Sequence, residues 1–324
     1  MRRNNLIKGF LTLILFLLII AIGFAIEFSK INIKKDLVFL IKSHTSTRDI
    51  AKQLIEQNVL HNQAVFFFFA KAYSEINNKP IIAGEYQLRN GMNGLDLIRL
   101  FTRGKVIQHS IMISEGLSIR EILEKINKLN NIIHFPHEIH IEEGYLMPDT
   151  YFYTYGTLDI DIIKRMKKQM DDFIAVEWHK RDQKIDQVIS SPDEAIIIAS
   201  IVEKETYIDS EKPLIASVYI NRLIKGMKLQ ADPTVVYGLG LYHNDNWDGK
   251  LRFSHLKQDS KYNTYKNKGL PPTPICNPGR KAILAVLHPN WSQKLFFVSN
   301  GSGRHIFSNN FAQHKRNIEK VRVR

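Results

Sequence analysis

Glu203, Lys204 and Glu205 close a run that, apart from Ser200, is wholly apolar from Ala195 to Val202. Ahead of it, Ser191, Pro192 and Glu194 supply an N-cap serine, a proline at the first helical position and a glutamate at the third, so the run reads as a helix. Being apolar on nearly all sides, that helix must be buried. A carboxylate at the carboxy-terminal end of a buried helix is disfavoured twice, by the helix dipole and by desolvation, and both effects raise its pKa. A carboxyl group kept protonated near neutral pH is what protonation of a glycosidic oxygen requires. A frayed, solvated helix end is the plainer reading, and spacing alone leaves the two open. Residues two apart project in different directions from a helix, so at most one of Glu203 and Glu205 can face a substrate.

Two later stretches carry groups suited to gripping a sugar. In Leu229–Gly238, Gln230, Asp232, Thr234 and Tyr237 sit in a proline-containing turn that leads into an apolar run. Tyr262, Asn263, Thr264 and Tyr265 then precede Gly269–Ile275, whose prolines remove donors and fix the backbone. Such a stretch is either a plain connection or the shaped wall of a cleft, and tyrosines and amides beside it favour the cleft. Phe296–Val298 reads as a strand, and residues 301–314, with His305 and His314, as a polar hairpin-like close.

The elements that must position these groups follow from apolar spacing and caps. Val38–Ile41 is strand-like, Ser46–Asp49 caps a helix burying Ile50, Ala51, Leu54 and Ile55, a second helix covers Ala64–Ala72, Gly84–Leu88 is another strand, and a helix from Leu95 ends before Gly104. The four adjacent rings Phe66–Phe69 point all round a helix, which favours core packing over an aromatic binding box. Ser118 and Glu121 cap a helix burying Ile119, Ile122, Leu123 and Ile126, and Ile162–Ile174 is an amphipathic scaffold helix. The fold class expected is mixed α+β.

At 324 residues the chain has room for two folded units, and its net charge of +13 favours anionic partners. No aromatic-studded basic stripe or nucleic-acid motif accompanies the charge, so nucleic acid is not an expected partner. A single cysteine, Cys276, excludes an intramolecular disulfide, and the histidines lack close ligand spacing, so neither a metal nor another cofactor is expected. Arg2, Arg3 and Lys8 precede an uncharged run from Phe10 to Ile26, and about 17 to 25 such residues span a bilayer. The flanking charge predicts a single-pass anchor in the cytoplasmic membrane with the bulk of the chain outside. Small residues Ala21, Gly23 and Ala25 raise a cleaved signal peptide as the competitor, but Ile26, Glu27 and Phe28 are a poor cleavage context.

The stretches EGYLMPDTY, ASIVEKET, LQADPTVVYG, YNTY with GLPPTPICNPG, and FFVSNGSGRHIFSNNFAQH, in this order, resemble the YceG-like family, endolytic murein transglycosylases of the MltG type. The resemblance implies an anchor (1–28), a small LysM-like domain (29–107) and a larger catalytic domain (108–324). It implies that Glu205, the second glutamate of EKET, is the catalytic acid and base with Glu203 in support. It further implies cleavage of the β-1,4 bond between N-acetylmuramic acid and N-acetylglucosamine in peptidoglycan, beside penicillin-binding synthases whose nascent strands it terminates. Gln230, Asp232, Thr234, Tyr237, Tyr262, Asn263 and His305 are the expected substrate-positioning residues. Glu142, Met147, Ala231 and Lys315 depart from the family's usual residues. A two-carboxylate hydrolase using Asp232, a non-enzymatic wall-binding anchor, and a membrane-tethered nucleic-acid binder with steeply salt-dependent affinity are the alternatives.

Overall fold

The computed structural model describes residues 33–134, 141–244 and 247–322, together with positions 10–12, 14–16, 18, 19, 22, 23, 25, 26, 28 and 31. The expected membrane span at 10–26 therefore lies partly outside the described residues. Among the described residues no helix is long and apolar enough to cross a membrane.

The chain divides into two compact units, residues 1–109 with 152–157, and residues 110–151 with 158–324. In the first, β1 (Leu37–Ile41) and β2 (Gly84–Leu88) pair antiparallel, with Phe39 opposite Tyr86. Between them run α1 (Thr47–Glu56) and α2 (Gln63–Asn77), and α3 (Gly94–Arg103) follows β2. Ser46 caps α1 and Asn62 caps α2, each accepting backbone N–H bonds, and Asn93 and Asp96 form a capping box on α3. Alternation along the strands and helical spacing send Phe39, Phe66, Tyr86, Leu97 and Phe101 into one core. Of the four consecutive phenylalanines, Phe66 is buried and Phe68 is 60% exposed, as rings spaced around a helix must be.

In the second unit, α4 (Ile119–Asn127) carries the Ser118–Glu121 capping box and α5 (Asp159–Trp178) presents Ile162, Ile163, Met166, Met170 and Ile174 inward. Its centre is α6 (Pro192–Glu205), buried from Ala195 to Glu203, against which α7 (Lys212–Ile224) and α9 (Arg280–Leu287) pack. Between them in sequence lies α8 (Asp232–Gly238). The strands β3 (Phe296–Ser299) and β4 (His305–Ser308) form an antiparallel hairpin, followed by α10 (Phe311–Arg322). The mixed α+β class agrees with the expectation. The Leu229–Gly238 stretch does not: the proline-containing turn is itself helical from Asp232, because Pro233 occupies the first turn, where a missing N–H costs nothing.

Gly144 shows why one motif needs a glycine. Its φ is +92°, and a Cβ there would lie 2.5 Å from Pro274. Gly144→Ala should therefore cost at least about 1–3 kcal/mol, read as a melting temperature several degrees lower; an unchanged melting curve would refute this account of the turn.

Candidate active site

The carboxy-terminal end of α6 sends its three charged residues to three different places. Glu203 turns inward, where Oε1 accepts from Lys212 Nζ at 2.9 Å and Oε2 from the Gly279 N–H at 2.9 Å. Burial nevertheless outweighs these bonds and raises its pKa. Lys212, 1% exposed, also lies 3.2 Å from Asp209 and 3.6 Å from Glu115. Burial pulls its ammonium down, but the surrounding carboxylates outweigh this and hold its pKa above the ordinary value. Lys204 donates to the Gly116 carbonyl at 3.2 Å and sits over the Tyr242 ring, 4.1 Å from its centroid.

Of the three, Glu205 lines a cavity of about 440 Å³. Burial pushes its pKa up to about 7; the Tyr219 hydroxyl, donating to Oε1 at 2.5 Å, works against this, and the Asp232 charge adds to it. Tyr219 and Arg222 project from α7 into the same cavity. Arg222 donates from Nε to the Leu295 carbonyl at 2.7 Å and from Nη1 to the Leu229 carbonyl at 2.5 Å, with its guanidinium 5.1 Å from the Phe296 ring centroid. It thereby ties the strand β3 wall to the turn that carries Gln230 and Asp232.

Across from Glu205, Asp232 accepts from the Tyr265 hydroxyl at 2.5 Å, and Gln230 lines the cavity with a left-handed backbone, φ +48°. Held polar groups on a constrained backbone mark a shaped binding surface. The remaining wall is aromatic, from Phe296, Phe297, His305, Phe311 and His314. His305 is fixed by Glu211, which accepts its backbone N–H at 3.2 Å and lies 2.8 Å from Nδ1. The His314 ring stacks on Phe296 at 5.1 Å, burial lowers its pKa, and its buried Nδ1 makes no hydrogen bond among the described residues. One carboxyl poised near pH 7, a second carboxylate, amide and hydroxyl donors, and aromatic faces together can bind a sugar and pass a proton to it.

The sequence model of the YceG-like family matches residues 39–320. The chain belongs to the YceG-like family. It is 32% identical to the endolytic murein transglycosylase of Bacillus subtilis (strain 168), covering 86% of this chain and 83% of that one. It is 26% identical to the endolytic murein transglycosylase of Streptococcus pneumoniae (strain ATCC BAA-255 / R6), over 89% of this chain but only 58% of the relative's length. A crystallised yceG-like protein of Listeria monocytogenes superposes with a TM-score of 0.52 at 31% identity, covering 88% of this chain and 99% of that one.

Of the family-motif residues expected to contact substrate, Glu205, Gln230, Asp232 and His305 meet at the cavity. Thr234 and Asn263 are fully buried behind it. Thr234 bonds the Ala231 carbonyl at 2.7 Å and Thr264 at 2.8 Å, while Asn263 takes the Leu256 and Gln258 carbonyls and accepts the Tyr265 N–H. Both therefore brace the turn and the tyrosine that hold Asp232. Tyr237 and Tyr262 meet edge to face, centroids 5.0 Å apart, outside the cavity lining, with the Tyr237 hydroxyl 3.4 Å from Glu143, whose pKa burial raises to about 7. The Pro-rich stretch runs along α6: the Ile275 N–H donates to Ser200 and Asn277 accepts the Leu146 N–H. Tyr219, Arg222 and His314 were not anticipated as site residues, and Tyr265 was read only as part of the tyrosine- and amide-bearing stretch beside a cleft. For His314 and the phenylalanines the signal was present, since all lie in the aromatic and histidine-rich terminal motif.

Proposed function

We propose that the chain is an endolytic peptidoglycan lytic transglycosylase in which Glu205 is both acid and base. The carrying observation is a cavity-facing carboxyl at the end of a buried helix, its pKa pushed up to about 7 by burial. Protonated, Glu205 gives its proton to the oxygen leaving C1 of the N-acetylmuramoyl residue. As carboxylate it then takes the proton from the C6 hydroxyl while that oxygen bonds to C1. One bond breaks, one forms, the proton returns and no water is consumed, so the product end is 1,6-anhydro-N-acetylmuramic acid. Tyr219 fixes the carboxyl orientation, and the aromatic wall with Gln230 and Asp232 positions the strand.

The first unit is read as the LysM-like glycan-binding module and residues 10–26 as the anchor in the cytoplasmic membrane. The described side chains of that segment support the anchor: Phe10, Leu11, Leu15, Phe16, Leu18 and Ile19 are each more than half exposed, an arrangement suited to lipid. In that setting the enzyme works on the wall-facing side beside penicillin-binding synthases and terminates nascent strands.

The test is mass spectrometry of fragments released from purified peptidoglycan by the full chain in detergent. Internal fragments with anhydro ends are expected. Asp232 in the same cavity supports a second reading, a two-carboxylate hydrolase, and reducing ends would establish it. Binding without release would leave a wall anchor. Tyr219→Phe removes the bond that favours ionised Glu205, so the alkaline limb of the pH–rate profile should move upward by up to about one pH unit; a downward move would show that Tyr219 does not act on this carboxyl.

A further inference from the structure

The first unit holds a cavity of about 700 Å³ that the proposed reaction leaves unused. Arg99 and Arg103, four apart on one face of α3, line one side; Arg89, just beyond β2, and Lys105, just past the left-handed Gly104 that ends α3, complete it. None of these four side chains is ion-paired or hydrogen-bonded among the described residues. The one carboxylate in the lining, Asp96, is engaged in the capping box with the Asn93 N–H at 3.2 Å. The groove therefore carries net positive charge, four cations against one carboxylate, over an apolar floor of Met92, Leu100 and Val106.

Its place in the unit indicates the occupant. The turn between β2 and α3 is bonded to the chain leaving the apolar run, with the Ile33 N–H donating to the Met92 carbonyl at 3.1 Å and the Gly91 N–H to the Ile33 carbonyl at 2.8 Å. Phe28, two residues past that run, stacks on Phe69 at 4.5 Å, and a Cβ on Gly94, at the start of α3, would lie 2.6 Å from its ring. The folded unit begins where the apolar run ends, and Arg89 and Met92, at one end of the groove, belong to the turn bonded there. Guanidinium forks suit the paired non-bridging oxygens of a phosphodiester, and an apolar floor suits the glyceride beside it.

We propose that this groove binds the phosphate headgroup of an anionic membrane phospholipid and so seats the first unit on the membrane surface. This rests on the anchor reading, from which the test must be separable. The full chain in uncharged detergent would be titrated with dihexanoyl-phosphatidylglycerol, dihexanoyl-phosphatidylcholine and a soluble acidic stem pentapeptide, with affinity read by calorimetry. The glycerol lipid should bind at least about tenfold more tightly than the choline lipid and weaken with salt. A cation near an anionic surface contributes about fivefold, so Arg99→Ala with Arg103→Ala should cost roughly 30-fold, and Arg89→Ala with Lys105→Ala a similar factor. These exposed substitutions leave the core intact, and circular dichroism checks this. Equal affinity for both lipids, either double variant binding as the parent does, or preferential binding of the pentapeptide would overturn the proposal. Carbonate extraction from phosphatidylcholine vesicles tests the anchor by itself, since the wild-type chain and both double variants must then remain with the lipid if residues 10–26 span it.

Discussion

Glu205→Gln is expected to lower turnover on peptidoglycan by about 10²–10⁴-fold while making the protein more stable above neutral pH. Glutamine keeps the shape and can still accept from Tyr219, but it can neither give nor receive the proton. The stability effect follows from linkage. With a pKa of about 7 in the folded state against 4.5 as the ordinary value, Glu205 is neutral in both states below pH 4.5 and costs nothing there. Between pH 4.5 and 7 the unfolded chain ionises this group while the desolvated site keeps it protonated, and the resulting loss of stability approaches ~3 kcal/mol and is complete above pH 7. The variant escapes this, so the gap between the two melting temperatures should be small at pH 5 and widen by pH 8. Glu143 contributes the same trend to both proteins, so the comparison isolates Glu205. Near-parental cleavage would remove Glu205 from the mechanism, and a gap independent of pH would remove the argument for its raised pKa.

Lys212→Met should be among the most destabilising single changes in the second unit, by about 3–5 kcal/mol. The ammonium is surrounded by Glu203, Asp209 and Glu115, and its loss leaves Glu203 buried with only the Gly279 N–H to satisfy it. Because Glu203 leads Glu205 by two residues on α6 and Lys212 begins the helix that bears Tyr219 and Arg222, the pair fixes the alignment of both sides of the cavity. Denaturant unfolding at pH 7 measures the loss, which should shrink at pH 4, where Glu203 can take up a proton instead. Adding Glu203→Gln should recover part of it. A single variant within about 1 kcal/mol of the parent would mean that the cluster is not a structural joint.

Where local chemistry decides structure, the sequence was readable. Ser118 with Glu121, and Ser191 with Pro192 and Glu194, announce helix starts because side chains close in sequence satisfy the orphan N–H groups. The separation of Glu203 from Glu205 followed from helix geometry alone. What could not be read was the identity of distant partners. Nothing near Lys212 in the chain signals that a helix residue will meet Glu115, nearly a hundred positions earlier. The segment that becomes α7 has a proline at its start but no side-chain cap, and α10 follows the terminal hairpin as a strongly polar helix with no buried residue. Thr234 and Asn263 carry groups as suitable for sugars as those of Gln230, and only packing distinguishes a brace from a contact.

Among the described residues Arg222 forms no salt bridge: its fork ends on two main-chain carbonyls and its flat face lies against a ring. Dissolved ions compete weakly with bonds of this kind, whereas they readily screen the attraction between a chain of charge +13 and an anionic polymer. The protein thus separates capture from shape. A change in ionic strength is expected to alter how often a strand arrives and to leave unchanged the surface that the strand meets. Lysine, with its compact ammonium and no planar fork, could carry the charge at this position but could not span both carbonyls while lying flat on the phenyl ring.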